Sequence, residues 1–394
     1  MIASPVEART FRRAEWEPSS SRLGVYVHAP FCAERCGYCS FNTAPFVKAA
    51  APRYVRALLA EIDLVAGAPW APAVWLRTVF VGGGTPSLLT VEEMTAILGR
   101  LRARFRMAPD AEITVEANPE SVTEDKLGGY RAAGVTRLSL GVQSLDDGVL
   151  PRLDRRHTAS EARAAYEAAR AVGFASVSAD LMYGLPGLDL GTWTRTVGEL
   201  LDWEVDHLSA YALTLDEGSL WHARGVTGLP AEETVTAQYR HLAARAHARA
   251  YEHYEVSNWA RPGHRSAHNQ IYWRGEEYLG LGPGACGFLG RIRHSNVKPV
   301  ERYCALLERG EEPLETAETL TPRQRLAERL LLGLRTADGI PAALLEERVA
   351  LEPGHLPSRL AAWRERGLLV PVGDRVRLTD AGFLLSDSLF VELL

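Results

Sequence analysis

Through the first half of the chain, short runs of β-branched and other apolar residues alternate with longer stretches rich in Ala, Leu, Arg and Glu. The short runs predict strands at 24–28, 78–81, 112–116, 137–141, 176–181 and 207–212, and the longer ones predict helices at 53–65, 91–105, 123–133, 160–172 and 192–201. Gly134 and Gly173 follow two of those helices, where a left-handed terminating residue belongs. Repeated strand–helix alternation predicts an α/β fold whose parallel sheet carries helices outside. Six such units make a partial (β/α)6 barrel, with reactive groups at the C-terminal ends of the strands.

The texture changes twice further on. Residues 235–309 are less regular, and they include the run His268-Asn269-Gln270-Ile271-Tyr272-Trp273. From Thr321, helical stretches at 323–334, 342–349 and 356–366 precede strand-like pieces at 368–372 and 375–378, the order of a winged-helix-like domain. The expected organisation is a flexible N-terminal tail (1–20), a core barrel (21–234), a connecting region (235–320) and a C-terminal helical, winged-helix-like domain (321–394). No internal repeat is visible beyond the strand–helix unit.

Composition narrows the function classes. The 394 residues carry 44 Lys plus Arg against 49 Asp plus Glu, a net charge of −5. That balance gives no electrostatic footprint for nucleic acid. Residues 321–394 hold 10 Arg and 10 Asp plus Glu, so the last domain is neutral and suits packing better than DNA binding. No apolar run approaches the ~20 residues that span a bilayer. Arg9, Arg12 and Arg13 are followed by no apolar stretch, so no signal peptide is expected. Five cysteines, three of them crowded together, suggest reduced thiols and a cytoplasmic protein rather than a disulfide framework.

Those three, Cys32, Cys36 and Cys39, have the spacing C-x3-C-x2-C directly after the first strand. Structural zinc takes four protein ligands, often as two pairs, and no second pair exists here: Cys286 and Cys304 are remote. Three thiolates suit a [4Fe–4S] cluster with one iron left open. S-adenosylmethionine (SAM) chelates such an iron in radical SAM proteins, so Cys32, Cys36 and Cys39 are the expected metal ligands.

Unusual polar residues recur at the ends of the following strands. Gly82-Gly83-Gly84-Thr85-Pro86-Ser87 bares the backbone after the second strand, which permits close approach of a ligand. Glu116 ends the third strand, where it could fix the SAM amine or ribose. Gln143 follows the fourth and Asp180 closes on the end of the fifth. Each alone could be a helix-capping residue, but their recurrence favours a shared site. Arg155 could meet a carboxylate, or be a solvated helix charge.

These runs, with EANPES (116–121), RLSLGVQS (137–144), ADLMYGLPG (179–187), HLSAYALTLDEG (207–218) and HYEVSNWARPG (253–263), resemble the HemN/HemW group of radical SAM proteins, and most closely its haem chaperone branch. The resemblance implies a [4Fe–4S] cluster, SAM and haem as cofactors. It implies that Tyr26, Tyr38, Gly83 and Glu116 face the SAM at the cluster. Gly84, Thr85, Gln143, Arg155 and Asp180 match positions that hold a second SAM in the dehydrogenase branch, and Ala212 matches another lining position.

Two features favour the chaperone branch. Phe41 stands where the dehydrogenase has a fourth cysteine, and His268, Asn269, Tyr272 and Trp273 form the H-N-x-x-Y-W motif implicated in holding haem. A neutral imidazole is a good haem-iron ligand, so His268 is the expected axial residue. Three departures stand out: Ser40 where many relatives have Asp, Cys286 where relatives often have His, and Asp154 where they usually have Gly. The thiol of Cys286 could itself ligate iron. The implied partners are haem, haem-accepting respiratory proteins, some of them membrane-associated, and a low-potential donor such as flavodoxin or ferredoxin. The rival functions are oxygen-independent coproporphyrinogen III dehydrogenase and a HemN-like methyltransferase or cyclopropanase.

Overall fold

A computed structural model describes residues 12–351 and 354–391. The six expected strands all form: β1 (Arg22–Ala29), β2 (Trp75–Gly83), β3 (Arg106–Ala117), β4 (Arg137–Gln143), β5 (Ser176–Tyr183) and β6 (His207–Ala212). They pair in that order, all parallel. Crossover helices α1 (Ala51–Ala66), α2 (Val91–Arg104), α3 (Glu124–Ala132), α4 (Ala159–Val172) and α5 (Leu190–Asp202) connect them. Local signals set the ends of these helices. Thr90 with Glu93 and Thr158 with Glu161 form capping boxes, satisfying amides that the first helical turn leaves free. Gly173 closes α4 at φ +82°. Strands covered on both faces must be apolar nearly throughout, and β5 is buried at every position except Asp180.

The segment expected to be irregular is ordered and joins the same sheet. After α6 (Leu220–Arg224) and α7 (Glu232–Ala248) come β7 (Glu252–Glu255) and β8 (Asn258–Ala260), which extend the β6 edge antiparallel. Helix α8 (Ala267–Trp273) crosses to the other edge. There β9 (Tyr278–Leu281) pairs parallel with β1, followed by β10 (Cys286–Leu289), β11 (Ile292–Asn296) and β12 (Leu314–Thr319). The result is a mixed sheet of 12 strands. Strands of 3 to 6 residues are too short to show a period of two, which is why the pattern hid them.

One apolar core runs from Trp16 to Leu307, so residues 235–307 share the core of the first six strands. A second core, from Leu326 to Phe390, belongs to the C-terminal helical region. Its elements are α10 (Pro322–Leu334), α11 (Ala342–Leu351) and α12 (Leu356–Glu365), with a three-stranded antiparallel sheet of β13 (Ile340–Pro341), β14 (Leu369–Val372) and β15 (Arg375–Leu378). The helix α9 (Val300–Glu308) packs on α1.

The expected mobile tail over 1–20 is instead packed on the core at Arg13 and Trp16. Residues 1–11 lie outside the described residues. Arg13 is wholly buried and pairs with Glu61 at 2.8 Å and with Glu312 at 2.8 Å. A buried carboxylate such as Glu61 is tolerated only with charged and hydrogen-bonding partners, and the N-terminal segment supplies one. Trp16 packs on His294, ring centroids 5.0 Å apart.

Candidate functional site

The cysteines lie just beyond β1. Phe31 and Cys32 pair with Ala44 and Pro45, which folds the segment between them into a loop over the strand ends. Cys36 and Cys39 sit in that loop, Cys39 donating its N–H to the Cys36 carbonyl at 3.1 Å. All three thiols are free and half-buried. Burial pushes Cys32 up to about 11, and burial also raises Cys39. Polar groups address the sulfurs: the Thr85 hydroxyl donates to Cys32 Sγ at 3.7 Å, and Arg155 Nη1 donates to Cys36 Sγ at 3.8 Å. Among the described residues no three His, Cys, Asp or Glu side chains gather as ligands of a single metal ion. A cluster asks for something else, since each of three irons takes its own thiolate. Three half-buried thiols on one loop, approached by a hydroxyl and a guanidinium, fit that need.

The other strand-end residues converge on this loop. Arg155 donates through Nη2 to Asn118 Oδ1 (2.8 Å) and to the Gly141 carbonyl (2.6 Å), bridging the ends of β3 and β4 to Cys36. Its Nε is buried without a partner. Asn118 also donates to the Thr85 hydroxyl at 3.3 Å. Gln143 ends β4 at φ +65°, a left-handed conformation unusual for a residue with a Cβ. Asp180 accepts from the Ser139 hydroxyl at 3.1 Å, and burial raises its carboxyl. Ala212 is exposed at the end of β6. Glu116 accepts the Gly83 N–H at 3.0 Å, and burial pushes its carboxyl up to about 7 despite that bond. The Tyr26 hydroxyl bonds His28 Nδ1 at 2.9 Å, and His28 Nε2 bonds the Asn42 carbonyl at 2.8 Å. Tyr38 meets Trp221 edge to face at 5.9 Å.

The glycines also serve the protein's own packing. A Cβ on Gly83 (φ +114°) would land on the His28 ring, and one on Gly84 would lie 2.6 Å from the Phe31 carbonyl. The space those residues leave is filled by the strand and loop that carry the cysteines. Glycine is therefore required at 83 and 84 for the loop to seat.

His268 must be corrected more fully. It is wholly buried on α8. Its Nδ1 shares a 2.7 Å hydrogen bond with the Thr78 hydroxyl and its Nε2 one of 2.7 Å with the Tyr272 hydroxyl, while Phe80 stacks on it at 5.2 Å. Burial pushes the imidazole down to about 3. Neither nitrogen is free for iron, so the residue is a core histidine. The α8 amides of Ala267 and His268 donate to Glu112 at 3.1 and 3.0 Å. Gly24, Thr78 and Glu112 are aligned across β1, β2 and β3, so α8 rests on one layer of the sheet.

Several residues that hold the cysteine loop were not singled out from the sequence: His28, which bonds Tyr26 and Asn42, and Trp221 and Asp216, whose partners Gly37 and Ser40 are remote in sequence. Asp154 stood out only as a departure, and its partner Gly37 is equally remote. The Ser40 hydroxyl donates to Asp216 at 2.8 Å, and Arg35 donates to the Gly218 carbonyl at 2.7 Å. Two cavities lie away from the cysteines. One of about 290 Å³ lies between α8 and the C-terminal region and includes Trp273, Arg274 and Ile340. One of about 840 Å³ opens at the N-terminal ends of β1 and β2, where Arg22, Arg77, Arg274, Arg325 and Phe288 line it.

The comparisons with known proteins agree with this geometry. Residues 26–200 match the Radical SAM superfamily, and residues 320–385 match the HemN C-terminal domain. The chain is 42% identical over 378 residues to the heme chaperone HemW of Mycobacterium tuberculosis, covering 94% of this chain and 95% of that protein. It is 33% identical to the heme chaperone HemW of Bacillus subtilis, covering 93% and 97%. A mitochondrial radical S-adenosyl methionine domain-containing protein 1 of Bos taurus is 35% identical, covering 96% and 88%. In fold, the chain is similar to the coproporphyrinogen III oxidase HemN of Escherichia coli, with TM-score 0.85, 23% identity and coverage of 97% and 92%. Cysteine loop, strand-end residues and near end-to-end similarity agree: the chain belongs to the HemW/HemN family of radical SAM proteins.

Proposed function

We propose that this protein is a haem chaperone, which binds haem and passes it to respiratory acceptor proteins on a core carrying a [4Fe–4S] cluster and SAM. One observation carries the reading: the match over 94% of the chain to a relative named a heme chaperone. Phe41 supports it. It is 65% exposed two places after Cys39, where the dehydrogenase branch has a further cysteine. The working site is cytoplasmic, the acceptors include membrane-associated ones, and the electron donor is a low-potential flavodoxin or ferredoxin. No helix among the described residues is long and apolar enough to cross a membrane, which accords with this location.

In this reading, β1 to β6 with their helices are a partial (β/α)6 barrel over residues 21–234. Residues 235–320 are the connecting region with the H-N-x-x-Y-W motif, and residues 321–394 are a winged-helix-like domain. Cys32, Cys36 and Cys39 hold the cluster. A cluster held by these three thiolates, with SAM bound beside it, would supply one-electron reductive chemistry. The chain's own residues orient and balance charge. Glu116 offers a carboxylate for the SAM ammonium, Tyr26 and Tyr38 flank that ligand, and Arg155 sets a positive charge beside Cys36. Gly84, Thr85, Gln143, Asp180 and Ala212 line the rest of the mouth. Haem is not held through His268. The cavity lined by Arg22, Arg274, Arg325 and Arg329, together with Glu17, Glu277 and the Arg77–Glu276 pair, offers guanidiniums in excess over carboxylates, suited to haem propionates. Cys286 presents an exposed thiol as an alternative iron ligand.

One preparation tests the reading. Anaerobically reconstituted protein is expected to bind haem stoichiometrically and to leave coproporphyrinogen III unchanged in the presence of SAM and a competent reductant. Conversion to protoporphyrinogen with no haem bound would transfer the assignment to the dehydrogenase.

A further inference from the structure

Gly37 lies between two cluster cysteines, and both of its peptide groups are held by side structures. Its N–H is donated to Asp154 Oδ2 at 2.8 Å, and its carbonyl accepts the Trp221 N–H at 2.8 Å. A Cβ at 37 would land on the Trp221 indole, so only glycine lets that ring close on the turn.

Asp154 reaches Gly37 because of its backbone. It terminates a short 3₁₀ turn (Leu150–Leu153) at φ +54°, ψ +32°. Glycine is at ease in this left-handed region, and Asp is among the few other residues that adopt it. Glycine would fit the same backbone, so what Asp154 adds at this position is its side chain. What it brings is a carboxylate one residue from Cys36. The next residue, Arg155, puts a guanidinium on Cys36 Sγ at 3.8 Å. Consecutive residues thus place opposite charges on consecutive positions of the cysteine loop. Glu34, Arg35, Tyr38 and the Ser40–Asp216 pair are further polar groups of this loop, and Arg35 donates to the Cys39 carbonyl at 3.2 Å.

We propose that Asp154 is a positioning residue that lowers the reduction potential of the cluster by engaging the Gly37 amide and by setting a negative charge beside Cys36. This inference rests on the cluster assignment made above. Hydrogen bonds to cluster sulfurs and the net local charge are the levers by which a protein sets such a potential. An amide held by a carboxylate is withheld from sulfur, and a nearby anion opposes the arrival of an electron. Both effects act downward, against the upward pull of Arg155.

The test is a redox titration with dithionite, followed by electron paramagnetic resonance, on the reconstituted full chain. It compares wild type with Asp154→Asn and Asp154→Gly. Asn keeps an acceptor for Gly37 without the charge, and Gly removes both. Iron content is expected to match wild type in Asp154→Asn. The potential should rise in the order wild type, Asn, Gly. At the wild-type midpoint, the reduced-to-oxidised ratio should grow about three- to tenfold, tenfold being ~59 mV for one electron. A merely structural role would lower iron content without moving the potential of the clusters that form. Identical midpoints in wild type and Asp154→Asn, both fully loaded, would overturn the inference. Wild-type protein that takes up no iron would overturn the cluster assignment and this inference together, and iron analysis alone distinguishes that case.

Discussion

The Thr78 hydroxyl and His268 Nδ1 lie 2.7 Å apart inside the protein, on β2 and α8 respectively. With Tyr272 on the other ring nitrogen, the imidazole is fully committed to holding α8 against the sheet. His268→Ala should therefore be a stability mutation. Loss of a buried ring, with two hydroxyls left unpartnered, should cost about 3 kcal/mol. Thermal denaturation should show the loss, while the Soret band of bound haem in the folded fraction stays where it is. A shifted Soret band at unchanged melting temperature would restore the ligand role.

Cluster loading separates the five cysteines. Cys36→Ala should lose the cluster, and so should loss of Cys32 or Cys39. Cys286→Ser and Cys304→Ser should retain close to four irons after anaerobic reconstitution. Full iron content in a chain lacking Cys32, Cys36 and Cys39 would end the assignment.

Glu116 should make SAM binding pH-dependent. Burial holds its carboxyl at about 7, with the Gly83 N–H pulling down and Asp180 pushing up. Tyr26, Tyr211 and Tyr272 also face it electrostatically. Only the ionised form pairs well with an ammonium, so affinity for SAM should climb between pH 6 and pH 8. Equilibrium binding to Glu116→Gln should be weaker, by roughly tenfold at pH 8, and flat with pH. A wild-type profile as flat as that of the variant would remove Glu116 from the SAM site.

Glu255 offers a second pH test, this one of stability. Its side chain is fully buried, Oε1 has no partner, and burial pushes its carboxyl from 4.5 up to about 8. The folded state thus holds a proton that the unfolded state releases near 4.5. The stabilisation is complete below that pH and is lost as pH rises through about 8. Glu255→Gln should gain melting temperature relative to wild type on going from pH 5 to pH 9. A constant difference across that range would show that the carboxyl is not protonated in the folded protein.

Gly83 is expected to act through His28. Gly83→Ala should lower both melting temperature and iron uptake, because the new methyl group collides with the ring beneath the cysteine loop. Replacing His28 by Ala in the same chain should recover part of the iron uptake. If Gly83→Ala takes up full iron, the glycine's space belongs to the ligand instead.

The apolar runs alone determined β1 to β6 and the helices between them, because each element's partners are its sequence neighbours and its caps are local. Cysteine spacing likewise put the three thiols on one loop, since all of them lie within one turn-rich segment. The strand-end residues Glu116, Gln143 and Asp180 were legible for the same reason: chain order puts them at one end of a parallel sheet. Tertiary structure decided the rest. The strands from 252 to 319 are short, and each becomes a strand only by pairing with an edge already built. Arg13 is a core residue because Glu61 and Glu312 meet it from remote segments. His268 looked like a ligand in sequence, and the burial that makes it a core residue comes from Thr78, Phe80 and Tyr272. Asp154 looked like a lost glycine, and its hold on Gly37 exists only because the turn at 150–153 folds under the cysteine loop. Sequence periodicity reports burial along one element, whereas a side chain's hydrogen-bond partners come from elements that only the folded sheet brings together.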